Sequence, residues 1–92
     1  KIEPITMLPR LAERAVEYLG ERAAEAKGGR PFFLYVPLTS PHTPILPTNE
    51  WRGKSGLGDY GDFVMQTDAA VGEILAALDR HDLANSTLVI LT

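Results

Sequence analysis

The chain has no cysteine among its 92 residues. No disulfide, thiolate metal site or cysteine nucleophile can therefore arise within it. It also lacks an apolar run approaching the roughly 18 residues that indicate a membrane span, and its first residues carry no signal-peptide pattern. Basic residues are few and scattered: nine Lys and Arg against twelve Asp and Glu give a formal net charge of -3. Nucleic-acid binding relies on clustered cations, so a nucleic-acid partner is excluded. At this length there is room for one small domain with a thin core. The chain begins without Met and stops on Leu91 and Thr92 directly after an apolar run, which leads us to expect a piece of a longer protein.

What the chain does have is a distinctive centre, residues 30–47, reading R-P-F-F-L-Y-V-P-L-T-S-P-H-T-P-I-L-P. Five consecutive apolar residues, 32–36, predict a strand buried on both faces. A loop over 37–55 follows. Its prolines at 37, 41, 44 and 47 restrict both themselves and the residues before them. His42 is carried on this stiffened stretch. From spacing alone it is either a site residue beyond the end of a strand, where ligands of open α/β sheets bind, or a histidine bonded to a nearby carbonyl. Lys54, on the glycine-rich part of the loop, is either a cation that reaches an anionic ligand or a solvated side chain. The loop has no G-x-x-x-x-G-K-[ST] pattern, which rules out a phosphate-cradling P-loop.

Two amphipathic helices flank this centre. Over 9–27, Leu11, Ala12, Ala15, Leu19, Ala23 and Ala26 recur at steps of three and four. Thr6 is the N-cap candidate there, and Gly28-Gly29 is the expected stop. Over 60–80, Phe63, Val64, Thr67, Val71, Ile74, Leu75 and Leu78 form the stripe. Asp59 and Asp62 are its cap or first-turn carboxylates. Gly72, a weak helix residue, implies close packing against a sheet, whereas Asp68 reads as an ordinary boundary carboxylate. His81 stands at a helix end, where structural histidines are common, and is not counted as catalytic. A second apolar strand is predicted over 87–91. Strand, helix and strand make a βαβ unit, so the expected fold is α/β with two parallel strands and a right-handed crossover.

Three stretches in order carry a family resemblance: residues 31–47; G-K-S-G-L-G-D-Y-G-D-F-V-M-Q-T-D-A-A-V-G-E-I-L-A-A-L at 53–78; and N-S-T-L-V-I-L-T at 85–92. Together they resemble the middle of a sulfatase, on the branch of arylsulfatase A and N-acetylgalactosamine-6-sulfatase within the alkaline phosphatase superfamily. The resemblance implies a fragment of an αβα sandwich and a sulfuric ester hydrolase acting on sulfate esters. It also implies an extracytoplasmic location, whether periplasmic, secreted or lysosomal. Sulfatases use a formylglycine made within C/S-x-P-x-R, a divalent cation, usually Ca²⁺, held by Asp and Asn, and Lys and His around the sulfate. His42, in S-P-H-T-P, is similar to the family histidine that bonds the ester and assists protonation of the leaving group. Lys54 is a second, weaker candidate for substrate contact.

The departures from the family pattern are equally specific. No C/S-x-P-x-R occurs in the 92 residues, since Ser40 is followed by Pro41 and His42. The S-D-N-G or S-D-H-G metal-ligand motif that normally follows T-L-V-I-x-T does not occur either. We therefore expect one active-site residue here, no metal or cofactor held by the chain alone, no activity in isolation, and self-association through apolar strands. Two other readings are weighed: a phosphodiesterase or phosphonate hydrolase of the same superfamily, and a non-enzymatic βαβ interaction module.

Overall fold

A computed structural model describes residues 3–92. Two long helices dominate it: α1 (Met7–Lys27) and α2 (Asp59–Arg80), each accompanied by a short 3-10 turn, Pro4–Thr6 before α1 and Ala84–Ser86 after α2. Both helices fall within a residue or two of the spans their apolar periodicity predicts.

The helix ends follow local chemistry. Thr6 occupies the N-cap position of α1, but its hydroxyl donates to the Glu3 carbonyl at 2.8 Å instead of capping the helix. At the other end, Arg30 N–H donates to the Glu25 carbonyl at 2.9 Å and Gly29 N–H to that of Ala26 at 3.2 Å. With Gly29 at φ +99°, this is a Schellman stop. The stop is repeated after α2, where Leu83 N–H bonds the Leu78 carbonyl at 2.8 Å and Asp82 takes the left-handed position at φ +59°. Leu83 is thereby folded back onto Leu78, and both are buried.

The two helices pack through small residues. Leu8 and Ala12 of α1 cluster with Phe63 and Ala70 of α2 at one end. Leu19 and Ala23 cluster with Ala77, Leu78 and Leu83 at the other. N-terminal half meets N-terminal half, so the helices run in the same direction and the connection must return the full length of α1. Twenty-one residues of helix rise about 31 Å, and about nine extended residues cover the same distance. Residues 31–39 make this return, with Phe32, Leu34, Val36 and Leu38 partly buried and their neighbours exposed.

That geometry corrects the expected α/β fold. The described residues contain no strand: neither 32–36 nor 87–91 forms one, no βαβ unit exists, and the architecture is helical. A strand needs a hydrogen-bonded neighbour, and no backbone hydrogen bond links these two segments among the described residues. Segment 32–36 is covered on one face only, with Phe33 and Tyr35 standing 87% and 75% exposed. Leu88 to Leu91 project into solvent.

The stripe assigned to α2 is also turned by about one residue. Asp62, Phe63, Gln66, Ala70, Ala77 and Leu78 are buried, whereas Val64 and Leu75 are exposed. Close approach to α1 selects the alanines over the larger apolar residues beside them. Gly72 is exposed, with nothing within 4 Å of where a Cβ would stand, so the close packing expected of it does not occur.

Candidate functional site

The return segment delivers the proline-rich loop to the N-terminal ends of both helices, where Leu38 and Ile45 pack on the cluster of Leu8, Ala12 and Phe63. Two of its X-Pro bonds, Ser40–Pro41 and Thr43–Pro44, are cis. The loop has no regular structure of its own, and α2 supplies what holds it.

Three side chains on the first turns of α2 reach across. Asp62, 2% exposed, accepts three hydrogen bonds: from Gly53 N–H at 2.7 Å, from Ser55 N–H at 2.9 Å and from Ser55 Oγ at 2.7 Å. The Ser55 hydroxyl first, then the two backbone amides, hold this carboxyl below the usual carboxylate range. Gln66, also buried, accepts from Thr48 N–H through Oε1 at 3.1 Å. Thr67 Oγ1 lies 2.8 Å from Ser40 Oγ. The loop is thus tied at 40, 48, 53 and 55 to about two turns of one helix.

His42 sits in the turn closed by its own N–H donating to the Thr39 carbonyl at 3.1 Å. The side chain is exposed, and Nδ1 lies 2.9 Å from the Thr43 carbonyl. A carbonyl can only accept, so Nδ1 carries the proton in that bond and Nε2 is the free ring nitrogen. Nδ1 is thus bonded to a neighbouring carbonyl, as the second reading of His42 has it, and Nε2 has no hydrogen-bond partner among the described residues. Such a group can exchange a proton with a ligand at Nε2 while its ring orientation is held from Nδ1.

Lys54 lies between the two residues that Asp62 grips. Its Nζ is 5.4 Å from the centroid of the Trp51 ring, a cation–π contact. His42 and Lys54 share the loop, with no hydrogen bond between them among the described residues. A hollow, open and of about 570 Å³, runs between Thr6, Pro9, Arg10 and Glu13 of the α1 start and Thr48 and Asn49. It includes neither residue.

His81 lies at the far end of the molecule, where a Cβ on Gly20 would meet its Nε2 at 3.4 Å. Asp68 is exposed. Asp62, Gln66 and Thr67 were missed as loop anchors, although polar residues at 62 and 66 interrupt an otherwise apolar helix face one turn apart. That interruption was the available signal.

The residues present do not fit a metal or a formylglycine precursor. Among the described residues no group of three or more His, Asp or Glu could hold a metal ion. Ser40 is nine-tenths buried with its hydroxyl committed to Thr67, and no C/S-x-P-x-R surrounds it. Among the described residues no helix is long and apolar enough to cross a membrane.

The sulfatase family model matches residues 9–92, and the chain belongs to that family. The match takes in α1, which the three recognisable stretches do not reach. Among curated relatives, an N-acetylgalactosamine-6-O-sulfatase of Bacteroides thetaiotaomicron is 44% identical over 62 residues, covering 67% of this chain and 12% of the relative. Arylsulfatase A of Bos taurus is 38% identical over 86 residues, 92% of this chain and 17% of its own length. Steryl-sulfatase of Rattus norvegicus is 41% identical over 83 residues, 90% of this chain and 14% of its own length. The chain thus spans between 12% and 17% of the length of these relatives. No solved structure gives a significant match.

Proposed function

We propose that this chain is part of a sulfuric ester hydrolase of arylsulfatase type, and that His42 contacts the ester and protonates its departing oxygen. Membership of the sulfatase family and relatives named as sulfatases support the reaction class. The observation that carries the role of His42 is an exposed side chain whose ring is tied at Nδ1 to the Thr43 carbonyl and whose Nε2 has no hydrogen-bond partner among the described residues. In the step assigned to it, the sulfuryl group passes to a nucleophile supplied outside these 92 residues as its S–O ester bond breaks, and His42, carrying a proton on Nε2 as well as on Nδ1, gives the Nε2 proton to the alcohol oxygen that leaves. General acid catalysis of this kind contributes about 10²–10⁴ in rate. Lys54, on the same anchored loop, is the candidate cation for the sulfuryl oxygens.

On this reading the formylglycine nucleophile and the divalent cation, Ca²⁺ by family resemblance, belong to parts of the enzyme outside these 92 residues. The chain alone is then inactive, and the enzyme works outside the cytoplasm. The isolated chain self-associates through the exposed Phe33, Tyr35, Leu88, Ile90 and Leu91. The test is turnover of p-nitrophenyl sulfate. The native full-length protein hydrolyses it and a clean preparation of the 92-residue chain does not; turnover by the chain alone would refute the division of the site.

A further inference from the structure

Of the ties between α2 and the loop, the one nearest His42 joins Thr67 to Ser40. These residues are 27 positions apart in sequence, and their oxygens are 2.8 Å apart. Thr67 Oγ1 is also 2.8 Å from the Phe63 carbonyl oxygen. The carbonyl can only accept and each hydroxyl has one proton, so Thr67 donates to Phe63 and Ser40 donates to Thr67. Ser40 is 9% exposed, and the chain of bonds leaves neither hydroxyl unsatisfied. It lies inside the turn that His42 N–H closes on Thr39. The path from helix to imidazole is therefore short: Phe63 carbonyl, Thr67 hydroxyl, Ser40 hydroxyl, turn, His42.

A buried hydroxyl pair contributes little net stability, because an apolar pair of similar shape in its place is nearly neutral. What such a pair does supply is direction, since a hydrogen bond fixes where the turn sits and an apolar contact does not. We propose that Thr67 is a positioning residue for the sulfate-ester reaction: through Ser40 it sets the turn that carries His42, so that Nε2 meets the leaving oxygen. This assignment rests on the function proposed for His42.

The experiment uses the native full-length protein with an alkyl sulfate ester, whose leaving oxygen needs a proton. Thr67→Val removes the hydroxyl at nearly constant shape and lowers kcat about 10- to 100-fold, the scale of a small misplacement of a catalytic group, while KM stays within about twofold. Thr67→Ser restores the rate. Ser40→Ala gives the same loss as Thr67→Val, and the two combined lose no more than either alone. In a His42→Ala background, Thr67→Val has no further effect on the residual rate, a result that a general structural defect would not give. A cooperative thermal unfolding transition in each single variant, with its midpoint above the assay temperature although one buried hydroxyl has lost its partner, shows that they fold. Undiminished kcat in Thr67→Val, or an equal loss with and without His42, would overturn the assignment while leaving the proposed function standing. A native protein that turns over no sulfate ester would overturn the proposed function, and this assignment with it.

Discussion

Leu19 is the residue on which the pairing of the two helices most depends. It is 1% exposed and clusters with Ala23, Ala77, Leu78 and Leu83. Truncation to alanine in a core costs about 2–5 kcal/mol, with the higher values where neighbours cannot collapse into the space. Two of its partners here are alanines on rigid helices, which have no side chain to swing inward, so about 3–4 kcal/mol is expected. A chain of this size has a total stability of about 5–15 kcal/mol, and the loss corresponds to a fall of roughly 12–32 °C in Tm. Urea unfolding followed by circular dichroism at 222 nm measures it, with Leu57→Ala as the control. Leu57 is 82% exposed, and its truncation should change stability by less than about 0.5 kcal/mol. If Leu19→Ala and Leu57→Ala have equal effects, the helices are not held together by the interface described.

Asp62→Asn should loosen the loop, raising hydrogen exchange at the amides of Gly53 and Ser55 while that of Asp79 and its neighbours at the far end of α2 is unchanged. The depressed folded pKa of Asp62 makes its contribution complete at neutral pH and lost on acidification from about pH 4 downward, through its lower folded value. Exchange at Gly53 should therefore rise in acid in the native chain, relative to the intrinsic rate, but not in Asp62→Asn. Asp82→Gly relieves a left-handed residue at φ +59° and should raise stability by about 1 kcal/mol, read as a higher urea midpoint. Phe33→Ser with Ile90→Ser should reduce self-association in light scattering at little cost in unfolding midpoint, since these side chains are 87% and 77% exposed.

The helices were legible because their evidence is local. Steps of four among Leu11, Ala15, Leu19 and Ala23, and glycines after Lys27, specify α1 with no reference to the rest of the chain. The strand expected over 32–36 did not form, and its burial on both faces did not occur. A run such as Phe32 to Val36 shows that the segment can be covered, whereas whether a neighbouring strand covers it is decided by other chain. The site divided along the same line. His42 as a candidate came from S-P-H-T-P and its prolines, and its role stands as a proposal. The anchors were not readable, because the bonds from Asp62, Gln66 and Thr67 depend on which face of α2 turns inward, and the larger apolar residues Val64 and Leu75 pointed to the wrong one.

The most direct measurement is the pH-dependent hydrolysis of p-nitrophenyl sulfate by the native full-length protein and its His42→Ala variant, alongside a sulfate ester with a poor, alkyl leaving group. Loss of a proton donor should slow the alkyl ester by about 10²–10⁴ and the nitrophenyl ester, whose leaving group needs no proton, far less. Equal loss on both esters, or none on either, would contradict the role given to His42.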